Sequence, residues 1–440
     1  MTSLSKLIAA TITAFLPVSV FAQFQPPPQD VVPSDSVGNT AMGGSVLQNI
    51  QNSQGNTGAG DGALQADTTG YYNTSVGFGS LTRNTTGYQN TASGVVALWN
   101  NITGNNNIAT GFEALYGNTS GSYNTASGHY VMSASGTGWS NTATGGFALN
   151  ANGSGNENTA SGFLSLSCSH NANYNTASGA YALSGGSFDF SQIFPICSYT
   201  GTGGSANTAD GFQALNANTS GEYGTASGYQ ALHSNTTGNQ NTAFGAGALS
   251  SNITGGNNIA LGFYAGANIV EGYRNIDIGN SGVASDAGII RIGTSTEQSA
   301  AYIAGIAGSK VTGSAVYVTS TGQLGVLASS ERYKTGIAPM GPSTDKLRQL
   351  RPVTFRLKSD PDSTIQYGLI AEEVAKVYPE LVVRDEKGKI QGVRYEELAP
   401  MLLNEAQQQR QEIGQLKRQL RQLQAALANL QSEGKLVAQR

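Results

Sequence analysis

Two cysteines are the residues whose chemistry is easiest to anticipate in this chain of 440 residues. Cys168 and Cys197 are the only thiols in the sequence. In an oxidising compartment such a pair forms a disulfide, provided that the fold brings the two side chains together. Formation of the disulfide therefore depends on whether the structural elements of the chain place these two positions side by side.

The histidines give no sign of a metal or cofactor site. His129, His170 and His233 are far apart and lack the spacing of metal ligands. We interpret them as single surface residues, and we expect no cofactor.

The acidic residues of the first part of the chain are also isolated. Hydrolysis of a glycosidic bond needs a pair of carboxyl groups on either side of that bond. Glu113, Glu157, Asp210 and Glu222 show no pairing in the sequence. A polysaccharide hydrolase is therefore an alternative that lacks an evident active site.

Charge divides the chain into two unlike parts. Residues 1–328 contain 13 acidic and 5 basic side chains, whereas the remainder contains 14 acidic and 18 basic ones. The overall net charge of −4 provides no basic field for nucleic acid. Glycine accounts for 58 residues, which argues against one large continuous enzyme core.

Residues 1–22 have the pattern of a signal peptide. Lys6 precedes an apolar stretch that ends at the small residue Ala22, and cleavage is expected after Ala22. The stretch is interrupted by Pro17 and is shorter than the ~20 residues of a membrane span, so we expect no integral membrane segment in the mature chain. Residues 23–36, rich in proline, form a spacer. The protein is therefore expected to be exported to the cell surface or the medium, with the periplasm as an alternative.

A 17-residue repeat then dominates the sequence. Its unit reads Asn-Thr-Ala-Ser-Gly-x-x-Ala-Leu-x-x-Asn-Thr-Thr-Gly-x-x. The repeated leucine or methionine positions are Leu47, Leu64, Leu81, Leu98, Leu115, Met132, Leu149, Leu166, Leu183, Leu215, Leu232 and Leu249. Asparagine stands nine positions after the leucine and glycine thirteen positions after it in most copies.

A period of this length is too short for two helices but can hold two short strands and two tight turns. Leucine and alanine would point inward, while threonine and serine would face out. We predict a parallel β-solenoid over residues 37–267, with about 13 coils, a length on the order of 60 Å and a ladder of asparagine amides. The Asn-Thr-Ala-x-Gly-x-x-Ala-Leu coils resemble the heads of trimeric autotransporter adhesins, which are β-rolls that associate as trimers.

Residues 184–206 contain an insert that is unusually apolar for this region. It carries Cys197, whereas Cys168 lies in the turn one coil earlier, so both fall at the same corner of adjacent coils. We therefore predict a Cys168–Cys197 disulfide. The insert is either a contact site or a loop folded back onto the rod.

Residues 268–328 are expected to continue as a β stem, and residues 329–400 as a compact α+β unit. Its predicted elements are a strand at Pro352–Leu357, a helix at Leu369–Tyr378, a hairpin of Leu381–Val383 with Ile390–Tyr395, and a long helix from about Glu396.

The end of that helix, residues 401–440, is predicted to be a coiled coil. Apolar residues alternate three and four apart, which is the a/d pattern that joins helices. Packing of the helix on its own domain is the alternative. Lys417, Arg418 and Arg421 fit the solvated face rather than a nucleic-acid site. The a/d residues are Ile413, Leu416, Leu420, Leu423, Leu427 and Leu430.

The region from Ser329 closely resembles the endosialidase-type intramolecular chaperone and self-cleaving peptidase domain of phage tail spikes and bacterial tail-fibre-like proteins. The matching segments are Ser329–Lys334, Leu350–Phe355, Tyr367–Val374, Pro379–Val382 and Val393–Tyr395. The resemblance implies a module that trimerises, templates a β stem and then cuts itself off. It makes Ser329 the nucleophile and Lys334 the base of a cut at Ala328–Ser329; many relatives have Asp where this chain has Ser330.

The sequence therefore indicates an exported fibrous protein, adhesin-like and homotrimeric, that its own chaperone assembles and releases. At most it is a single-turnover self-cleaving serine peptidase. The main alternative is a tail-spike-like protein that binds or hydrolyses polysaccharide on its rod. Ice binding by rows of threonine is a weaker alternative. A host surface or a polysaccharide is the expected ligand class.

Overall fold

The computed structural model describes residues 35–185, 188–189, 196–197, 203–304, 306, 315–319, 321–358, 364–385 and 387–437. The predicted signal peptide and nearly all of the predicted spacer lie outside these residues. The chain divides into one unit that ends at Ala301 and a second that begins at Tyr302.

The first unit is a parallel β-solenoid of about 14 turns, which confirms the predicted fold and slightly exceeds the predicted number of coils. Each turn contributes one three-residue strand, and each strand pairs with the next in register. An antiparallel hairpin of β10 (Phe188–Asp189) and β11 (Ile196–Cys197) lies in the insert. The strands of the solenoid sheet are β1 Thr40–Met42, β2 Thr57–Ala59, β3 Thr74–Val76, β4 Thr91–Ser93, β5 Ile108–Thr110, β6 Thr125–Ser127, β7 Thr142–Thr144, β8 Thr159–Ser161, β9 Thr176–Ser178, β12 Thr208–Asp210, β13 Thr225–Ser227, β14 Thr242–Phe244, β15 Ile259–Leu261, β16 Ile276–Ile278 and β17 Ile290–Ile292.

The core of the solenoid is a narrow column of small side chains and leucines. The middle residue of each solenoid strand from β1 to β16 points inward and is buried, as Ala92 and Ala109 are. Leu98 and its equivalents in other coils stack on the opposite side of the column and are also buried. The strand residues on either side of the middle one face outward, as predicted for threonine and serine.

The leucine side of each coil differs from the prediction of a second strand. Leu98 has a left-handed backbone with φ 51°, and Val96 has φ 52°. Left-handed geometry costs a residue with a Cβ roughly 1–2 kcal/mol. It persists here because the Leu98 N–H donates to the carbonyl of Ala114 in the next coil, at 2.9 Å, and because the leucine side chain is buried. Local preference alone would place positive φ values at glycine rather than at leucine.

A column of buried asparagines confirms the predicted amide ladder. Asn107 Oδ1 accepts the backbone N–H of Asn124 at 3.0 Å and its side-chain amide at 3.1 Å. The Asn107 amide in turn donates to the carbonyl of Gly121 at 2.8 Å. Because an amide both donates and accepts, each asparagine joins its own coil to its neighbours.

A second asparagine ladder was missed. Asn101 Nδ2 donates to Asn84 Oδ1 at 2.8 Å, and Asn118 Nδ2 donates to Asn101 Oδ1 at the same distance. The signal was the asparagine of the Asn-Thr-Thr-Gly half of the repeat. The ladder is interrupted at Ser135, which leaves the buried Oδ1 of Asn118 without a hydrogen bond, and it resumes between Asn218 and Asn252.

The insert does not interrupt the sheet. Thr176 of β9 pairs directly with Thr208 of β12, although 32 residues separate them in sequence. Asn207 also continues the asparagine ladder, because its backbone N–H donates to Asn175 Oδ1 at 2.9 Å. The chain therefore leaves and rejoins the solenoid at one corner.

The parallel sheet extends beyond the predicted rod boundary at residue 267, because β16 and β17 belong to it. Within the predicted stem, β17 (Ile290–Ile292) pairs in parallel with β16. In the second unit, β18 (Tyr317–Val318) pairs antiparallel with β19 (Leu324–Gly325).

The rest of the second unit confirms the predicted α+β organisation. Val374, Tyr378 and Leu381 lie at the centre of its small core, against Met401 of the long helix. The elements are the antiparallel pair β20 (Val353–Phe355) and β21 (Gln366–Gly368), helix α1 (Ala371–Val377), the antiparallel pair β22 (Val382–Arg384) and β23 (Ile390–Val393), helix α2 (Tyr395–Val437), and short 3-10 helices at Glu331–Tyr333, Gly341–Thr344, Leu347–Gln349 and Pro379–Leu381.

Replacing Gly94 with alanine should destabilise the rod. Gly94 has φ 142°, and a Cβ there would lie 2.4 Å from the carbonyl oxygen of Gly111. We expect Gly94→Ala to cost about 2 kcal/mol or more and to lower the midpoint of guanidinium unfolding followed by circular dichroism. The exposed neighbour supplies the control, since Ser93→Ala should change stability by less than about 0.5 kcal/mol. Equal midpoints for the two variants would contradict this packing.

Asp67 should make the rod less stable as the pH rises. Asp67 takes the place of an asparagine in the second ladder, where Asn84 Nδ2 donates to it at 2.9 Å. Burial raises the pKa of Asp67 to about 7 from an ordinary value of 3.8. The folded state therefore holds a proton that the unfolded state releases, so this stability is present below pH 3.8 and is lost towards pH 7.

The substitution Asp67→Asn should remove that dependence and stabilise the rod at pH 8, by about 1 kcal/mol or more. Thermal unfolding at pH 5 and pH 8 measures the effect. A variant whose melting temperature falls between these pH values as steeply as that of the wild type would rule out Asp67 as the titrating group.

Candidate functional site

Ser329 and Lys334 are brought together by a single turn of 3-10 helix, Glu331–Tyr333. The turn closes when the backbone N–H of Lys334 donates to the carbonyl of Glu331 at 2.9 Å. The Lys334 Nζ then lies 3.4 Å from the Ser329 Oγ, which is a long hydrogen bond. The two side chains are thus adjacent in the single chain, close to the distance at which a base can accept a hydroxyl proton.

The surroundings of this pair are open. Ser329, Lys334 and Ala328 are all exposed in the single chain. The guanidinium of Arg332 lies over the ring of Tyr333, 4.7 Å from its centroid, rather than beside the amine. A lysine amine acts as a base only when it is neutral, and burial or neighbouring cations favour that form. The single chain does not bury the amine.

Downstream, contacts that the sequence analysis missed join the segments of the unit that carry the family resemblance. Arg351 forms a two-point ion pair with Glu373 of α1, with the Nη2–Oε1 distance at 2.5 Å. The bond to Arg351 lowers the pKa of Glu373 below its ordinary value. The hydroxyl of Tyr395 accepts the N–H of Leu369 at 2.7 Å, which ties the start of α2 to the segment before α1.

Among the described residues, helix α2 packs on its own unit only through its first turns. Asn404 Nδ2 donates to the carbonyl of Gly341 at 2.9 Å and to the Thr344 hydroxyl at 2.7 Å. From Ile413 to Leu430, all six predicted a/d side chains are 51–68 % exposed. The described part of the unit therefore leaves this seam open, as expected for a surface that pairs with another helix.

Cys168 is buried and takes part in a disulfide bond. Cys197 is the other cysteine of the chain, and its side chain lies outside the described residues. The predicted Cys168–Cys197 pairing stays a prediction.

The remaining candidate residues do not converge. Burial raises the pKa of Glu113 and lowers that of His233, whereas Asp210 lies on the outer face of β12. Among the described residues, no three histidine, cysteine, aspartate or glutamate side chains could share a metal ion. No helix in that part of the chain is long and apolar enough to cross a membrane.

A row of aromatic rings along the solenoid was also missed. Phe112 stacks on His129 with ring centroids 5.4 Å apart, and such contacts continue from coil to coil past the insert. The signal was the frequent aromatic residue one or two positions after the repeat glycine. The row consists of Phe112, His129, Tyr130, Phe147, Phe163, Tyr181, Phe212 and Tyr229.

Comparison with known families supports the resemblance at the carboxyl end. Residues 329–383 match the model of a peptidase family described as chaperone of endosialidase. The match begins at Ser329 and contains Lys334, Arg351 and Glu373. No curated protein and no solved structure matches the chain. The chain thus combines a segment similar to the endosialidase chaperone family with a β-solenoid upstream, and this combination suggests a tail-fibre-like or tail-spike-like protein.

Proposed function

We propose that the carboxyl-terminal unit assembles three copies of the chain and then cuts itself from the rod. The observation that carries this proposal is the open seam of α2, which lies downstream of the segment that matches the chaperone family. That family implies trimeric assembly. Six exposed apolar residues at a/d spacing provide a surface that would be buried only between helices of different copies.

The structure of the rod explains why its folding would need an assembly domain. Its parallel coils are held by contacts between residues that are mostly 17 apart, and one-residue slips would turn the inward alanines towards solvent. Non-local parallel pairing is slow to form and exposes unpaired strand edges meanwhile. A coiled coil at one end raises the local concentration of the copies and fixes where they meet.

The cut would use the two side chains that the 3-10 turn brings together. Ser329 Oγ attacks the carbonyl carbon of Ala328 while neutral Lys334 Nζ takes the hydroxyl proton. The bond between that carbon and the Ser329 nitrogen breaks, and the nitrogen receives the proton from Lys334. The resulting ester between Ala328 and the Ser329 oxygen is hydrolysed by water, which releases residues 329 onward and restores the serine hydroxyl.

Assembly would also control the timing of the cut. Ser329 and Lys334 are exposed in the single chain, whereas a neutral lysine is favoured by burial. Burial against a second and third copy would supply that condition only after the rods have met. Release of the carboxyl-terminal unit would then remove the pathway for disassembly, which would make the assembled rod kinetically stable.

The assembled product would be an exported adhesin-like fibre at the cell surface or in the medium. The signal-peptide pattern of residues 1–22 supports export. A host surface and a polysaccharide are the two candidate ligands. The aromatic row favours the polysaccharide, since several of its rings, such as Phe163 and Tyr229, are 41–53 % exposed. Binding is better supported than hydrolysis, because Glu113, Glu157, Asp210 and Glu222 occupy different positions of the repeat.

The dyad is tested by the mass of the exported protein. The wild type should yield a rod fragment of about residues 23–328, whereas Ser329→Ala should remain intact. Lys334→Arg should also remain intact, because arginine keeps the charge but cannot act as a base. Ser330→Ala is the matched control and should still be cut. Cleavage that survives Ser329→Ala or depends on Ser330 instead would refute the assignment.

The seam is tested by placing charge at two of its positions. Leu420→Asp combined with Leu423→Asp should give a monomer by light scattering and should slow the cut at least tenfold, because burying carboxylates between helices is costly. The control pair Gln415→Asp and Gln422→Asp lies at outer positions of the same helix and should remain trimeric and cut normally. Normal assembly and cutting of the Leu420→Asp, Leu423→Asp variant would exclude the seam.

A further inference from the structure

The outer face of the solenoid sheet changes character near its carboxyl end. Each strand presents its first and third residues on this face. In β6 to β9 and in β13 all of these residues are threonine or serine. From Phe244 of β14 to Ile292 of β17 every first and third residue is apolar. Upstream, the large apolar residues exposed on this face are Met42, Val76 and Ile108, which stand in strands that are not adjacent.

We name this apolar area the terminal patch. Its five most exposed side chains are 45–73 % accessible. Soluble monomers seldom expose continuous apolar patches larger than about 300–600 Å². The terminal patch consists of Phe244, Ile259, Leu261, Ile276, Ile278, Ile290 and Ile292.

The interior of the rod does not require this change. Ala243 and Ala260 keep the inward positions of β14 and β15, and both are buried as in the upstream coils. In β16 and β17 the inward position changes as well, to Asp277 and Arg291. In β14 and β15 only the outward residues depart from the upstream coils, so the packing of the core does not account for their exposed apolar side chains. Such side chains point to something that covers them.

We propose that the terminal patch is covered by the same patch of other copies of this chain, and that the rods join only there. This inference rests on the proposed trimeric assembly. Identical chains held in register present identical patches, so apolar surfaces can meet without any charge complementarity. The charge of Arg291 in β17 is neutralised, because Arg291 forms a two-point ion pair with Asp286 at 2.6 and 2.7 Å.

The order of elements along the chain supports this occupant over an unrelated partner. Exposed apolar residues continue after β17 at Ile303, Val316 and Leu327, and Ser329 begins the chaperone match. The terminal patch is therefore the part of the solenoid sheet nearest in sequence to the assembling unit. The threonine and serine face upstream would remain in water and available to a ligand.

Thiol labelling of the full chain tests the proposal. The substitutions Leu261→Cys and Ser161→Cys lie at the same third strand position, in β15 and β8, so Ser161→Cys serves as the control for Leu261→Cys. For each variant, the rate of labelling by a maleimide reagent is measured in the assembled chain and in the Leu420→Asp, Leu423→Asp chain. We expect assembly to slow the labelling of Leu261→Cys at least tenfold and to leave that of Ser161→Cys unchanged. Ile290→Cys provides a second position in the terminal patch.

The outcomes separate this proposal from the proposed function. A trimer in which Leu261→Cys and Ile290→Cys react as fast as in the monomer overturns the interface but leaves trimeric assembly intact. Protection of Ser161→Cys as well overturns the restriction to the terminal patch. A wild-type chain that is monomeric by light scattering overturns the trimeric assembly, and this interface with it.

Discussion

The rod depends on one repeated interaction, the exchange of hydrogen bonds between buried amides in successive coils. Asn107 donates to Asn90 and accepts from Asn124, so its partners lie one repeat away in each direction. A buried amide without partners costs roughly 1–3 kcal/mol. The spacing of the repeat is therefore held coil by coil, and any slip leaves a whole column of amides unpaired.

Such a structure carries a liability at its ends. Parallel coils leave unpaired N–H and C=O groups on the first and last strands, where further strands can add. Near the amino-terminal end, Asp67 takes the place of an asparagine in the second ladder. Near the carboxyl end, Asp277 occupies an inward strand position beside the Asp286–Arg291 pair. Burial and the charge of Asp286 raise the pKa of Asp277 to about 6. Departures from the repeat thus occur towards both ends of the solenoid. Apolar surface is also exposed at the carboxyl end, which the second unit follows in sequence.

The period of the repeat was enough to predict the solenoid, its leucine column and the first asparagine ladder, because stacking forces residues 17 apart into contact. The second unit was predicted element by element, since its helix, hairpin and proline signals are local. The left-handed leucines could not be foreseen, because local preference opposes them and only burial and bonds to the next coil favour them. The aromatic row and the terminal patch were missed because each depends on which outward positions become neighbours in three dimensions. The closeness of Ser329 and Lys334 came from a family resemblance, and the 3-10 turn gives its geometric basis.

The closure of the sheet between Thr176 and Thr208 has a consequence for how such rods vary. Since the strands on either side stay within one coil spacing, about 4.8 Å, the corner at residues 184–206 tolerates added chain without disturbing the register of the shaft. Loops of other sequences could be grafted there to display foreign peptides at a fixed height. Adding or deleting whole repeats would move that height in equal steps, so length and decoration can evolve, or be engineered, independently.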